Sequence, residues 1–416
     1  MIRIVLRIFL FFTLLITLSI IYLGLFGIKT DRFNELIKSK IVQQDDRLDI
    51  NLKDVYIKLN IKEKSFSINS KNLDFFILEE IQNIANVDIL ISVGSLIQGK
   101  TEIKKIIINS KVNKINNLLK FVRLYKVNVP ILYLENSVKS GNIIYNIEVD
   151  LKNYTSNQIK LSGKITNTNL SVLGKEKFEN INLNFNYKNN DLEITNLSLN
   201  YKNIDFKSEK IIASLNNNLF NVKGKLSNNL NATIISNFLN YNFKQHIDDK
   251  INLQASSSFE VQFNNKFKLK KYDLESKIDF NELNIKLEKI NLNKYISEFN
   301  NKVILSKGII TFKTNNQNKT EIRINSKYNF KKNHNPRELS IYYLKSKKNE
   351  NYKFNINLSE NEIIFPKINF IKKKGKKLDL NIFFSKNKNF YQINDLKLFN
   401  DENYFILKNI KLDEKF

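Results

Sequence analysis

The chain has no cysteine, which removes disulfide cross-links, thiol catalysis and thiolate metal sites. That absence fits any compartment and leaves the redox environment open. Glycine and proline are scarce, with 10 and 3 in 416 residues, few for a β-rich chain that turns often. Asparagine, lysine and serine must supply the turns instead, and asparagine is the non-glycine residue that best tolerates the left-handed conformation. Histidine occurs only at His246 and His334. His246 stands beside Asp248 and Asp249, a grouping that invites a metal or acid–base reading, yet such a cluster is more often a solvated turn. His334 precedes Asn335 and Pro336 in a charged loop. There is no G-x-S-x-G, H-E-x-x-H, Gly-rich phosphate loop or spaced carboxylate set. We therefore expect no enzyme, no cofactor and no metal.

Acidic residues are outnumbered, and the formal net charge is +26. A basic chain can neutralise phosphates, so nucleic acid is a partner to weigh. Against it, the lysines are spread evenly along the strand-like segments, and nothing resembles a recognition helix, a zinc finger or an RNP motif. Joint enrichment in Lys, Asn, Ile and Phe is the signature of an AT-rich genome. No nucleic acid is expected, and an anionic lipid headgroup is the partner that this charge would suit.

One long apolar run is present. Residues 8–28, IFLFFTLLITLSIIYLGLFGI, follow Arg3 and Arg7 and carry no charge. As a helix these residues span roughly 31 Å, about one hydrocarbon core. The run is longer than the apolar part of a cleaved signal and lacks a small-residue cleavage site, so it is expected to stay as an anchor. A short basic tail ahead of a first helix usually stays in the cytoplasm. The expected localisation is thus a single-pass inner-membrane protein with its C-terminal region in the periplasm.

After the anchor, polar and apolar residues alternate. Residues 31–41 read as a short helix; 48–59 and 65–73 alternate as strands. Residues 78–86 read as a helical turn or bridging segment, and 87–97 with 102–108 as a hairpin. Residues 114–125 place Ile115, Leu118, Leu119 and Val122 on one helical face. From Val127 strands recur, separated by polar clusters at 153–157, 189–191, 216–218 and 315–319. Residues 230–243 lack strict alternation and form a candidate helical interruption. Three segments follow: 1–28 as cytoplasmic tail and anchor, 29–126 as an N-terminal module with short helices, and 127–416 as an elongated β region. We expect on the order of 16–20 strands after the anchor.

The run VDILISVGSLIQGKTEIKKIIINS (87–110) resembles the opening module of the AsmA-like envelope proteins. Ser95, Leu96, Ile97 and Gly99 match the family's "SLL-x-G" ending, and Ile103, Ile106 and Ile108 match its hairpin partner. LSGKITNTNL (161–170) and NVKGKL (221–226) are similar to strand starts of the family's YhdP branch. The resemblance, of the YhdP and TamB type, implies an elongated antiparallel sheet curled into a U-shaped, apolar-lined groove. It implies a non-enzymatic role in binding or conducting phospholipid during cell-envelope and outer-membrane biogenesis. An envelope protein partner, or self-association at the groove ends, is expected as well, because a sheet of that strand count is too short to reach a distant second membrane alone.

Physical chemistry points the same way, because a long one-sided sheet must be covered, closed or coated by ligand. The residues expected on the apolar face are Leu183, Phe185 and Tyr187; Leu192 and Ile194; Phe259, Val261 and Phe263; Ile278 and Phe280; Ile322 and Ile324; Phe354, Ile356 and Leu358. The competing expectation is a structural or assembly factor for outer-membrane proteins that recruits partners through its sheet edges.

Overall fold

The computed structural model describes residues 2–413 except 31–33, 62, 99–101, 126, 128, 152–158, 173, 217, 232–252, 265, 267, 288–291, 332–334, 348, 367–369, 388–389 and 401–403. The chain is mainly β (68% strands), with few helices and a large antiparallel sheet that does not close. It divides into two compact units, Met1–Leu199 and Asn200–Phe416.

The first unit opens with helix α1 (Ile2–Leu25), then β1 (Ile28–Lys29), α2 (Asn34–Gln44), β2 (Leu48–Asn51), β3 (Asp54–Asn60), β4 (Ser65–Ile77) and β5 (Glu80–Ser92). It continues through α3 (Val93–Ile97), β6 (Ile103–Ser110), β7 (Asn113–Lys114), α4 (Ile115–Tyr125), α5 (Val129–Ser137), β8 (Val138–Asp150), β9 (Ile159–Val172) and β10 (Glu176–Lys188). Neighbours β3, β4, β5, β6, β8, β9 and β10 pair antiparallel in that order. Its core gathers Ile50, Leu73, Ile84, Val138, Ile143 and Tyr145 under the amphipathic α4, whose Ile115, Leu118 and Leu119 face it. The 3.6-residue period of α4 is what makes this possible.

Strand β11 (Asp191–Tyr201) contains the boundary between units. The second unit holds β12 (Ile204–Asn216), β13 (Leu219–Leu230), β14 (Leu253–Asn264), β15 (Leu269–Lys286), β16 (Lys302–Asn315), β17 (Thr320–Asn329), β18 (Arg337–Lys345) and β19 (Glu350–Asn357). The short pair β20 (Ile363–Phe365) and β21 (Phe370–Lys372) follows, then β22 (Asp379–Asn387), β23 (Phe390–Phe399) and β24 (Tyr404–Asp413). From β12 onward each strand pairs with the next, except that β19 pairs with β22 and the β20–β21 hairpin stands outside the ladder.

Asparagine takes most of the left-handed positions, both at turns and, as at Asn72, Asn167 and Asn180, inside strands. Of the fifteen described non-glycine residues with positive φ, eleven are asparagine. Asn189 (φ 54°) and Asn190 (φ 65°) join β10 to β11, and two successive residues with positive φ suit the right-handed twist of a tight hairpin.

Several expectations need correction. The apolar run 8–28 is helical only through Leu25; Gly27 (φ 73°) ends the helix, and Ile28 has become a strand residue. Among the described residues no helix is long and apolar enough to cross a membrane, the side chains of α1 being described from Phe9 onward. Residues 78–86 are not a helical turn: they enter the thirteen-residue strand β5. The segment after Val127 begins with helix α5, not a strand, because VPILYLENS is apolar without alternation. In the 87–110 run, strands β5 and β6 do pair as a hairpin, but Ser95 and Ile97 lie on the helical turn α3. The candidate helix 230–243 and both histidines lie outside the described residues, apart from the first two positions of that helix; Leu230 ends strand β13.

A close approach inside the second unit gives a stability prediction. Phe280 faces Gly308 across β15 and β16, and a Cβ at Gly308 would lie 2.0 Å from the ring's Cζ. Gly308→Val should cost about 1–3 kcal/mol by forcing the ring off its site. An unchanged urea midpoint would show that the ring has room to move.

Candidate functional site

The site is assembled by register. Ala255, Ile278, Ile310, Ile324, Ile341, Phe354, Ile382, Leu396 and Leu407 face one another in succession across nine neighbouring strands of the second unit. A second apolar row runs beside it through Leu339, Ile356, Leu380, Leu398 and Phe405. Residues two apart on a strand share a face, so the two rows form one continuous apolar floor. On the opposite face of the same strands, Asn325, Ser340, Asn355 and Asn381 make a polar row, and beside it Arg323 and Lys353 lie over the rings of Tyr342 and Phe383.

Above this floor lies a cavity of about 830 Å³ whose lining residues are all aliphatic or aromatic. That volume falls in the range of small-molecule sites, but it lacks the few convergent polar groups that normally fix a ligand's orientation. Such a space recognises a class of shape and greasiness rather than a particular functional group.

The cavity has a cap that the alternating pattern does not announce. Residues 292–299 form consecutive turns, with the Tyr295 and Ile296 amides donating to the Leu292 carbonyl at 2.9 and 2.8 Å. Ile296 bridges to Ile363, and the Ile364 amide donates to the Tyr295 carbonyl at 2.8 Å, which ties these turns to the β20–β21 hairpin. The cap is held by aromatic packing: Tyr295 against Phe365 (5.6 Å), Phe299 edge-on to Phe330 (5.3 Å), and Phe330 against Tyr328 (5.4 Å). Phe299 and Tyr328 are each only 3% exposed.

Polar groups close the cap's outer side. The Tyr328 hydroxyl donates to the Asn357 carbonyl at 2.7 Å, and burial pushes its phenol well above the usual range. Lys372, 7% exposed, donates from Nζ to the carbonyls of Leu358 (2.8 Å), Ser359 (2.5 Å) and Asn361 (2.8 Å). Arg337 pairs with Glu360 beside it, and holds that carboxyl below its usual range.

Burial pushes Lys372 down to about 8 from its ordinary 10.5. The unfolded chain therefore binds this proton more tightly than the folded one. Charged Lys372 subtracts from stability below about pH 8, and the penalty disappears as pH rises from there to 10.5. The unfolding free energy of the protein should climb through that window, by up to about 3 kcal/mol, relative to Lys372→Met. Parallel pH profiles for the two proteins would refute it.

The expected inner-face residues divide. Ile324, Phe354, Ile356 and Leu358 line the cavity, and Ile278 and Phe280 pack in the core that underlies it. Ile322 sits one position along the same face of β17, half-buried between Phe312 and Tyr343. Leu183, Phe185 and Tyr187 face Ile165, Gly163 and Leu161, and Phe185 packs in the core of the first unit. Leu192 and Ile194 are half-buried on β11. Phe259, Val261 and Phe263 are half-buried, but so are Glu260 and Gln262 between them, so burial does not separate the two faces of β14 there.

The residues missed were the floor positions Ile310, Leu339, Ile341, Leu380, Ile382, Leu396, Leu398, Phe405 and Leu407, those of the cap, and the odd-numbered stretch Leu283, Ile285, Val303 and Leu305. The inward parity of β16 changes between Ile310 and Leu305, where Lys307 adopts φ 48°. A period-2 reading cannot carry through such a switch. Among the described residues no three His, Asp or Glu side chains are grouped to hold a metal ion. No family model, curated protein or solved structure matches the chain.

Proposed function

We propose that this protein is a membrane-anchored, periplasmic lipid-binding protein that holds phospholipid acyl chains on the apolar floor of its second unit. The observation that carries the reading is the cavity of about 830 Å³ with an entirely apolar lining. Each methylene removed from water contributes about 0.8 kcal/mol, so fatty tails are held without a specific polar contact. The apolar side chains of α1 support an inner-membrane anchor: Phe9, Leu10, Phe11, Phe12, Leu14 and Leu15 are between 47% and 67% exposed, a surface that hydrocarbon would cover. The one-sided ladder supports the curled, groove-like sheet that the AsmA-like resemblance implies, and with it a role in cell-envelope and outer-membrane biogenesis.

Lipid carried by the purified full chain tests this. Extraction and mass spectrometry should find diacyl phospholipid, and a variant with charge in the cavity should carry less. Because any anchor retains some surrounding lipid, the comparison between the two proteins decides. Equal lipid content in both would overturn the reading.

A further inference from the structure

Helix α1 does not leave the first unit as an isolated rod. Its last turns pack on the end of β3: a Cβ at Gly24 would lie 3.6 Å from the Leu59 carbonyl oxygen and 3.7 Å from Ile61 Cδ1. A crevice of about 450 Å³ runs there, with Ile21 and Leu25 on the helix side and Leu59 and Ile61 opposite. Two residues either side of Gly24, the rings of Tyr22 and Phe26 meet at 5.4 Å, tilted by 35°, and are 56% and 64% exposed. A tyrosine at the end of an apolar helix favours the layer of lipid headgroups, because its ring is apolar and its hydroxyl is not. With a rise of about 1.5 Å per residue, that layer contains Gly24 as well, and therefore the Ile61 side chain that touches it.

Helix α3 is joined to the same end. The Val93 amide and the Lys104 ammonium both donate to the Lys64 carbonyl, at 3.4 Å each. The result is a pair of protruding isoleucines, Ile61 (60% exposed) and Ile97 (82% exposed), on neighbouring tips. Lys58 lines the crevice with Ile61, and Lys104 is bonded to the Lys64 carbonyl of the β3–β4 turn. Against Glu63 and Glu102 these three lysines leave an excess of one positive charge at a surface that would meet anionic headgroups.

We propose that the β3–β4 turn and helix α3 form a membrane-contact surface, seated in the headgroup layer of the bilayer that α1 enters; this rests on reading α1 as the anchor. The first unit then sits directly on the membrane instead of being held off it on a tether. Lipid leaving the leaflet meets protein at the crevice beside Gly24.

The absence of cysteine allows a direct test. Single variants Phe12→Cys, Ile61→Cys, Ile97→Cys and Leu78→Cys are made in the full chain and labelled with an environment-sensitive fluorophore. Leu78 is 58% exposed and stands at the opposite end of β4, roughly 40 Å from Ser65 along the strand. The proteins are reconstituted into vesicles of zwitterionic and anionic phospholipid that carry a nitroxide quencher high on the acyl chain. Quenching at Ile61 and Ile97 should be several-fold greater than at Leu78, and Phe12 should show a blue-shifted emission. If Phe12 reports hydrocarbon while Ile61 and Ile97 behave like Leu78, the contact surface is overturned and the anchor stands. If Phe12 also reports water, the anchor reading fails and takes this proposal with it. Equal quenching at Leu78 and Ile97 likewise overturns it, since the contact would then have no defined side.

Discussion

Replacing Phe354 and Ile382 together with aspartate should abolish acyl-chain binding by the second unit. The two residues are cross-strand partners on β19 and β22, and both line the cavity. Among the described residues, the cavity lining contains no cation to pair with two facing carboxylates, and an unpaired charge in an apolar site costs several kcal/mol to desolvate. Since each ~1.4 kcal/mol is tenfold in affinity, binding of a fluorescent fatty acid should weaken by about a hundredfold or more. The control is Asn355→Asp with Asn381→Asp, the adjacent pair on the opposite face of the same two strands. That variant should bind within about twofold of the parent, a difference of under ~0.5 kcal/mol. If the two double variants lose binding equally, the faces are not distinct in function and the proposed site is wrong.

The second large effect is expected at the cap. Phe299→Ala removes a 3% exposed ring that packs edge-on against Phe330. A buried Phe→Ala change typically costs about 3–5 kcal/mol through lost burial and the cavity left behind. Because the deletion falls in the cap, the same variant should release a bound acyl probe faster than the parent. Tyr328→Phe is the informative comparison: it keeps the ring and removes only the hydroxyl that donates to the Asn357 carbonyl. Its cost should be about 1–2 kcal/mol. Denaturant titration with stopped-flow release reads both. Destabilisation without faster release would mean that ligand enters elsewhere than under the cap.

Much of the second unit was legible as alternation. Ile322 and Ile324 in IRINS and Phe354 and Ile356 in FNIN occupy the same face because a strand turns every second side chain the same way. The amphipathic α4 was legible for the equivalent reason with a longer period. Scarce glycine also pointed to asparagine turns, and residues such as Asn189, Asn190, Asn203 and Asn318 occupy the left-handed region.

The pattern could not tell one apolar face from another. Phe185 and Phe354 sit in equally regular alternating tracts, yet Phe185 packs in the core of the first unit and Phe354 lines the cavity. The difference lies in what the remainder of the chain places over each face. Residues 292–299 and the short strands Ile363–Phe365 and Phe370–Lys372 carry no periodic signal; they become a cap only because Ile296 meets Ile363, sixty-seven positions away. Likewise the odd-numbered Val303 and Leu305 turn inward on β16 past Lys307, whose positive φ breaks the strand's period. Sequence alone determined the β-rich character, the alternation of individual tracts such as IRINS and FNIN, and the apolar N-terminal helix, since these follow from local periodicity. The count fell short, with on the order of 16–20 strands expected and 24 found among the described residues. Only the tertiary structure decided which stretch of floor holds a cavity and what covers it, because both depend on contacts between residues distant in the chain.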